Sequence, residues 1–157
     1  MRSLDTRIAN ARRLESSGQA EKAMLLADAL VEENPSEAKV WALRAHLYTL
    51  VGNYLKANSD ITSAIDICPS DPYLFFRRGL NHLELRNWPE AITDFTRGLG
   101  LRDAAYESAF RFARAEAFIG LGKKPEALLD LAHVPDECKM WTYRLRSKAE
   151  LVSECSE

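Results

Sequence analysis

A short motif that returns at almost constant spacing constrains the fold of this chain more than any other feature of its sequence. Residues 18–23, 52–57 and 86–91 align with one another, and their closing alanines are 34 positions apart; residues 122–127 form a fourth copy after a step of 36. A repeat of this length accommodates one pair of helices, and such a pair buries its apolar side only by stacking on the next pair. The spacing therefore predicts an all-α array of repeated helix pairs.

Residue types at fixed places within this period resemble the tetratricopeptide repeat, whose pattern is W-x2-L-G-x2-Y, then A-x3-F, then P. The second copy supplies Trp41, Arg44, Ala45, Tyr48, Ala57, Ile61 and Pro69. The third supplies Phe75, Arg78, Gly79, His82, Ala91 and Phe95. The resemblance covers roughly residues 4–135 and implies a right-handed superhelical array of about four helix-turn-helix pairs. We expect repeats at approximately 4–37, 38–71, 72–105 and 108–135, within a single domain spanning 1–157.

The residues after 135 predict one more helix. Apolar and charged side chains are interleaved there, as in an amphipathic helix that packs one face on the last repeat. The apolar members are Met140, Trp141, Tyr143, Leu145 and Leu151. A repeat array needs an end element with a polar outer side, so we expect a C-terminal capping helix over residues 136–153.

A second regularity concerns charge. Three arginines occupy equivalent places in repeats two to four, and an aspartate follows each of them 16 residues later. The pairs are Arg44 and Asp60, Arg78 and Asp94, and Arg114 and Asp130. The two helices of one repeat lie side by side, so this spacing predicts a charge-assisted hydrogen bond across each helix pair. We interpret these arginines as structural and not as ligand contacts.

Composition and motifs argue against several other classes of protein. The formal net charge is -2, whereas nucleic-acid-binding proteins usually carry a basic excess. No apolar run approaches the length of a membrane span. The three cysteines are widely spaced and suggest no disulfide framework, which is typical of a reducing compartment, so we expect a cytoplasmic protein. The three histidines are far apart, and no nucleophile, phosphate-binding or metal-ligand motif is present. We therefore expect no enzymatic activity, no cofactor and no metal.

The candidate ligand surface is a stripe on the first helix of each repeat. In tetratricopeptide-repeat proteins these helices line a concave groove, and the stripe lies about 100° around the helix from the packing residues. The candidate partner-binding residues are Arg12, His46, Tyr73, Phe76, Arg77, Leu80, Phe112 and Glu116. Aromatic and arginine side chains in a groove are typical of interface hot spots; the alternative is that Phe76 and Phe112 are buried against the next repeat.

The resemblance implies a protein-interaction module, that is, a scaffold or adaptor, and the apolar stripe suggests an amphipathic helix or an extended apolar segment as its ligand. The carboxylate clamp by which some members of the family bind chaperone tails is not expected, because only Arg77 matches the residues that form it. Two further hypotheses remain: a dedicated binder of one client, such as a secretion chaperone or a toxin-neutralising immunity protein, and a self-assembling structural protein. We expect a monomer or weak dimer that binds neither nucleic acid nor membrane.

Overall fold

The computed structural model describes residues 3–142 and 144–156 and consists almost entirely of helices. The elements are α1 (Leu4–Ser16), α2 (Ala20–Glu33), α3 (Ala38–Leu50), α4 (Tyr54–Ile67), α5 (Pro72–Glu84), α6 (Trp88–Gly100), α7 (Glu107–Gly120), α8 (Lys124–Leu131), β1 (Lys139–Trp141), β2 (Leu145–Ser147) and α9 (Lys148–Ser156). Helices α1 to α8 form four helix-turn-helix pairs, which confirms the predicted all-α repeat array. The chain divides into two compact units, Met1–Pro69 and Ser70–Glu157; the single domain stays a prediction.

The first unit contains the helix pairs α1–α2 and α3–α4. Its core is built from alanines, which let paired helices approach closely, and from branched aliphatic side chains, which fill the remaining space. The main buried cluster comprises Ile8, Ala11, Ala23, Ala27, Leu30, Val31, Val40, Leu43 and Leu47. Helices α1 and α3 contact each other within this unit, as the first helices of stacked repeats do.

The second unit contains α5 to α9 and the β1–β2 hairpin. Four phenylalanines, Phe75, Phe95, Phe110 and Phe112, are fully buried in it. Two glycines make room for two of these rings: a Cβ atom on Gly79 would lie 2.3 Å from Cε1 of Phe95, and one on Gly98 would lie 2.0 Å from Cζ of Phe110. A second buried cluster, formed where α9 packs on α7 and α8, comprises Phe112, Ala115, Ala127, Leu131, Val134 and Leu151.

The turn inside each helix pair requires a left-handed backbone conformation. Gly18, Gly52 and Gly122 adopt it with φ of +76°, +72° and +72°. The third pair has Arg86 at the equivalent place, with φ of +56°. A residue with a Cβ atom pays about 1–2 kcal/mol in this conformation, whereas glycine adopts it without steric conflict.

Replacing Arg86 by glycine should therefore raise the free energy of unfolding by about 1 kcal/mol. The Arg86 side chain is exposed, so its removal should cost little. Urea denaturation followed by circular dichroism measures the change, and Gly52→Ala is the matched control, with an expected loss of similar size. A loss of stability in Arg86→Gly would instead show that the arginine side chain makes a stabilising contact.

The three predicted arginine–aspartate pairs are confirmed. In each pair Nε and Nη2 of the arginine donate to the two carboxylate oxygens of the aspartate. The two distances are 2.8 and 2.8 Å for Arg44 with Asp60, 2.9 and 2.7 Å for Arg78 with Asp94, and 2.7 and 2.7 Å for Arg114 with Asp130. All three aspartates are buried. Each pair therefore joins the two helices of one repeat by the bidentate geometry that makes such bonds strong.

The prediction of a helix over residues 136–153 is wrong in its extent. Within that range the chain first forms the β1–β2 hairpin, in which Met140 stands opposite Arg146 and Trp141 stands opposite Leu145. Arg146 is buried and Met140 half-buried, whereas Trp141 and Leu145 are exposed. This alternation has the period of a strand and not of a helix. The capping helix begins only at Lys148, and Tyr143 lies outside the described residues.

Candidate partner-binding surface

Four of the candidate residues, Tyr73, Phe76, Arg77 and Leu80, lie on α5. The start of this helix is set by Asp71, whose carboxylate accepts a hydrogen bond from the backbone N–H of Tyr73 at 2.9 Å, with proline in the first turn. Tyr73 and Arg77 are then one turn apart on the same side of the helix. The guanidinium carbon of Arg77 lies 5.9 Å from the centroid of the Tyr73 ring, and Tyr73 is 39% exposed.

Phe76 is half-buried because its ring belongs to an aromatic cluster between α5, α6 and the start of α7. Its ring centroid lies 6.1 Å from that of Phe95, 6.2 Å from that of Tyr106 and 5.5 Å from that of Phe110, the last contact being edge-to-face. Burial in this cluster raises the pKa of the Tyr106 hydroxyl. Phe76 thus contributes to the core, and any contact of its exposed part with a partner stays a prediction. Leu80 is half-buried on the next turn.

The two candidate residues on α7 are in the core and not at a surface. Phe112 is fully buried in the cluster with Leu131 and Leu151, and Glu116 is only 3% exposed. Their equivalents on α5, Phe76 and Leu80, are half-buried. The assignment of the α7 residues to an open stripe is therefore corrected, because the C-terminal hairpin and α9 cover this side of the helix.

Two polar side chains that sequence reasoning missed, Thr142 and Arg146, connect the C-terminal segment to Glu116. The hydroxyl of Thr142 donates a hydrogen bond to Oε2 of Glu116. Arg146 places Nη1 3.7 Å from Oε1 of Glu116 and Nη2 2.7 Å from Oε1 of Glu154 on α9. Burial raises the pKa of the Glu116 carboxyl, and the Thr142 hydrogen bond and the nearby arginines only partly oppose this. A glutamate on the apolar side of α7 was the one sequence signal that pointed to such a contact.

In the first unit, the candidate residues Arg12 and His46 lie on α1 and α3. Arg12 is exposed and His46 is half-buried. Arg12 lines a depression of about 490 Å³ together with Asp5, Ile8, Ala9 and Lys39. Nζ of Lys39 lies 2.7 Å from Oδ1 of Asp5, so a salt bridge joins the first helices of the two repeats. Asp5 and Lys39 were not among the predicted residues.

Within residues 3–142 and 144–156, no cluster of His, Cys, Asp and Glu side chains has the arrangement of a metal site. The three cysteines are free thiols, and burial raises the pKa of Cys138 and of Cys155, which disfavours the reactive thiolate. No helix in these ranges has the length and apolar character needed to cross a membrane.

No protein-family model matches the chain. Among curated proteins it is similar to the SGT1 homologues of Bos taurus, at 28% identity over 74 residues, and of Homo sapiens, at 28% identity over 68 residues. The matched regions make up 47% and 43% of this chain but 22% and 19% of the two relatives. The match therefore spans about a fifth of the length of these relatives.

Several solved structures share the fold. MamA superposes with a TM-score of 0.74 at 13% identity, over 83% of this chain and 70% of MamA. The MamA MSR-1 structure gives 0.71 at 20% identity, over 99% of this chain and 80% of that one. YrrB, described as a TPR protein with an unusual peptide-binding site, gives 0.69 at 22% identity, over 80% of this chain and 64% of YrrB. At these identities the likeness is one of fold.

Proposed function

The chain has the tetratricopeptide-repeat fold, and from this premise we propose that it is a protein-interaction module that holds a segment of another protein. The observation that carries the proposal is the α5 surface, defined as Tyr73, Arg77 and Leu80 with the exposed part of Phe76. The peptide-binding site named for YrrB supports the same use of the fold. Free thiols at all three cysteines support a reducing compartment, and we place the protein in the cytoplasm.

The α5 surface has the composition of an interface hot spot. Tyrosine and arginine are among the residue types most enriched at such sites, because they combine a large apolar contact area with hydrogen-bonding groups. The stacking of Arg77 on Tyr73 orders both side chains before a ligand arrives, which lowers the entropy lost on binding. Leu80 adds an apolar contact one turn further along. The surface therefore suits an apolar segment, helical or extended, that carries an acidic or hydrogen-bonding group near Arg77.

The test is a variant in which Tyr73 and Leu80 are both replaced by alanine. Removing two hot-spot side chains should weaken binding of the natural partner by about 2 kcal/mol or more, roughly thirtyfold in Kd. The partner is first captured from the native host and identified by mass spectrometry, and its affinity is then measured by calorimetry. Leu55→Ala is the matched control, because Leu55 is 72% exposed on α4 and lies outside the proposed surface.

If the double variant keeps its helicity and binds the partner with the affinity of the wild type, the α5 surface is ruled out as the binding site. Tight capture of one protein would point to a dedicated single-client binder, and weaker capture of several proteins would point to a scaffold. Light scattering on the purified chain distinguishes both from self-assembly, which would give a mass that rises with concentration.

A further inference from the structure

Arg12 differs from the other arginines of α1 in its lack of a partner. Arg7 forms a salt bridge with Glu33 on α2, and Nη2 of Arg13 donates a hydrogen bond to Oδ1 of Asn10 at 3.0 Å. Within residues 3–142 and 144–156, the guanidinium of Arg12 forms neither an ion pair nor a hydrogen bond. Because Arg12 is also exposed, its five N–H donors are available to an acceptor from another molecule.

Arg12 lies beside apolar surface in a depression of the first unit. The depression has a volume of about 490 Å³, and Ile8 and Ala9 line it together with Arg12. These two residues precede Arg12 by one turn on the same side of α1, and Ile8 is 7% exposed. Ligand pockets of this size combine apolar walls with a few polar groups. The depression therefore offers an apolar contact next to an unpaired positive charge.

The charge of the depression favours a carboxylate as the ligand group. Asp5 and Lys39, which complete its lining, neutralise each other through their salt bridge, so the charge of Arg12 remains uncompensated. A carboxylate fits a guanidinium because its two oxygens can accept two parallel N–H bonds. A phosphate, with a charge of about −1.5 to −2, would be repelled more strongly by the carboxylate of Asp5. The singly charged group is therefore the better match.

We propose that this depression binds an aspartate or glutamate side chain of a partner protein. Arg12 forms the ion pair with that carboxylate, and a neighbouring apolar side chain of the partner packs on Ile8 and Ala9. The proposal rests on the proposed function, that the chain holds a segment of another protein, and it gives that segment a chemical class: an acidic residue beside an apolar one. The site lies wholly within the first unit, so it can be tested separately from the α5 surface.

The probe is a library of random peptides displayed on phage and joined to the coat protein through their C-termini, so that side chains supply their only carboxylates. Peptides are selected on the wild-type chain and then depleted on Arg12→Glu, which retains those that require the arginine. An aspartate or glutamate next to an apolar residue should be strongly enriched in the retained peptides over the unselected library.

A retained peptide is then synthesised with an amidated C-terminus, and its affinity is measured by fluorescence anisotropy. Arg12→Glu should weaken its binding by at least about tenfold. A peptide with lysine in place of its acidic residue should show the reverse preference and bind Arg12→Glu more tightly than the wild type. Arg13→Glu is the matched control, because Arg13 is exposed on the same helix, lies outside the depression and changes the net charge equally. This variant should keep the wild-type affinity within about twofold.

A selection that yields no peptide dependent on Arg12, or only dependent peptides without an acidic residue, would overturn the proposal. Equal losses in Arg12→Glu and Arg13→Glu would also overturn it, since they would reflect the overall charge of α1. Circular dichroism checks the fold of each variant, and Arg12→Gln, for which the same loss is expected, replaces Arg12→Glu if that variant misfolds. Peptides that bind Arg12→Glu normally but not Tyr73→Ala/Leu80→Ala would support the α5 surface and contradict this site.

Discussion

Replacing Phe75 by alanine should lower the free energy of unfolding by about 3–5 kcal/mol, the usual cost of truncating a buried aromatic side chain. Phe75 is 0% exposed, and the guanidinium carbon of Arg97 lies 5.6 Å from the centroid of its ring. Truncation leaves a cavity that the neighbouring helices cannot close without losing their own contacts. Because a domain of this size is stable by about 5–15 kcal/mol, poor expression of this variant is expected as well.

The matched comparison is the adjacent residue, Phe76. Its ring contacts the aromatic cluster but is only half-buried, so Phe76→Ala should cost about 2 kcal/mol, less than Phe75→Ala. Thermal and urea denaturation of both variants, followed by circular dichroism, measure the difference. Equal losses would show that Phe76 is as much a core residue as Phe75. A Phe76→Ala variant as stable as the wild type would show that the aromatic cluster contributes little.

The second large effect is expected from Arg78→Ala, at about 3–5 kcal/mol. The cost arises because Asp94, which is 3% exposed, loses the two hydrogen bonds that compensate for its burial. Asp94→Ala should cost less, because the Arg78 side chain is 19% exposed and its guanidinium can turn towards water. Denaturation of the two single variants and of the double variant gives the coupling energy directly.

Glu107→Ala provides the control for this series, since it removes an exposed ion pair in the same unit. Oε1 of Glu107 lies 3.0 Å from Nη2 of Arg111 one turn along α7, and the Glu107 side chain is 54% exposed. Loss of this ion pair should therefore lower the free energy of unfolding by at most about 0.5 kcal/mol. If the effects of Arg78→Ala and Asp94→Ala simply add, the pair makes no specific contribution to stability. If Arg78→Ala costs no more than the control, the buried aspartate is solvated in some other way.

Much of the repeat region is predictable from sequence because its signals are local or periodic. The step of 34 residues locates the helix pairs, and Pro72 after Asp71 marks the start of α5. The spacing of 16 residues between Arg78 and Asp94 predicts their contact, because two antiparallel helices joined by a short turn bring such positions together. These relationships lie within one repeat, so they require no knowledge of the distant chain.

The candidate site was predicted less well, since an α-helix presents several sides and the sequence of that helix does not say which neighbour covers each one. Phe76 and Phe112 occupy equivalent places, yet the first keeps part of its ring exposed and the second is fully buried. The difference is made by α9, which packs on α7 and α8 after the last repeat, and by Met140, which packs on the cluster that contains Phe112.

The sequence by itself therefore determined the number, the order and the internal ion pairs of the repeats, because those depend on short-range spacing along the chain. Only the tertiary structure decided that the end segment begins as a hairpin and that Glu116 faces Thr142 and Arg146 instead of solvent. The backbone N–H and C=O groups of β1 and β2 form hydrogen bonds with each other across the hairpin. Met140 is partly buried against the cluster that contains Phe112 of α7, a helix that ends some twenty residues earlier in the chain. Such burial is a property of the packed chain, and no local spacing encodes it.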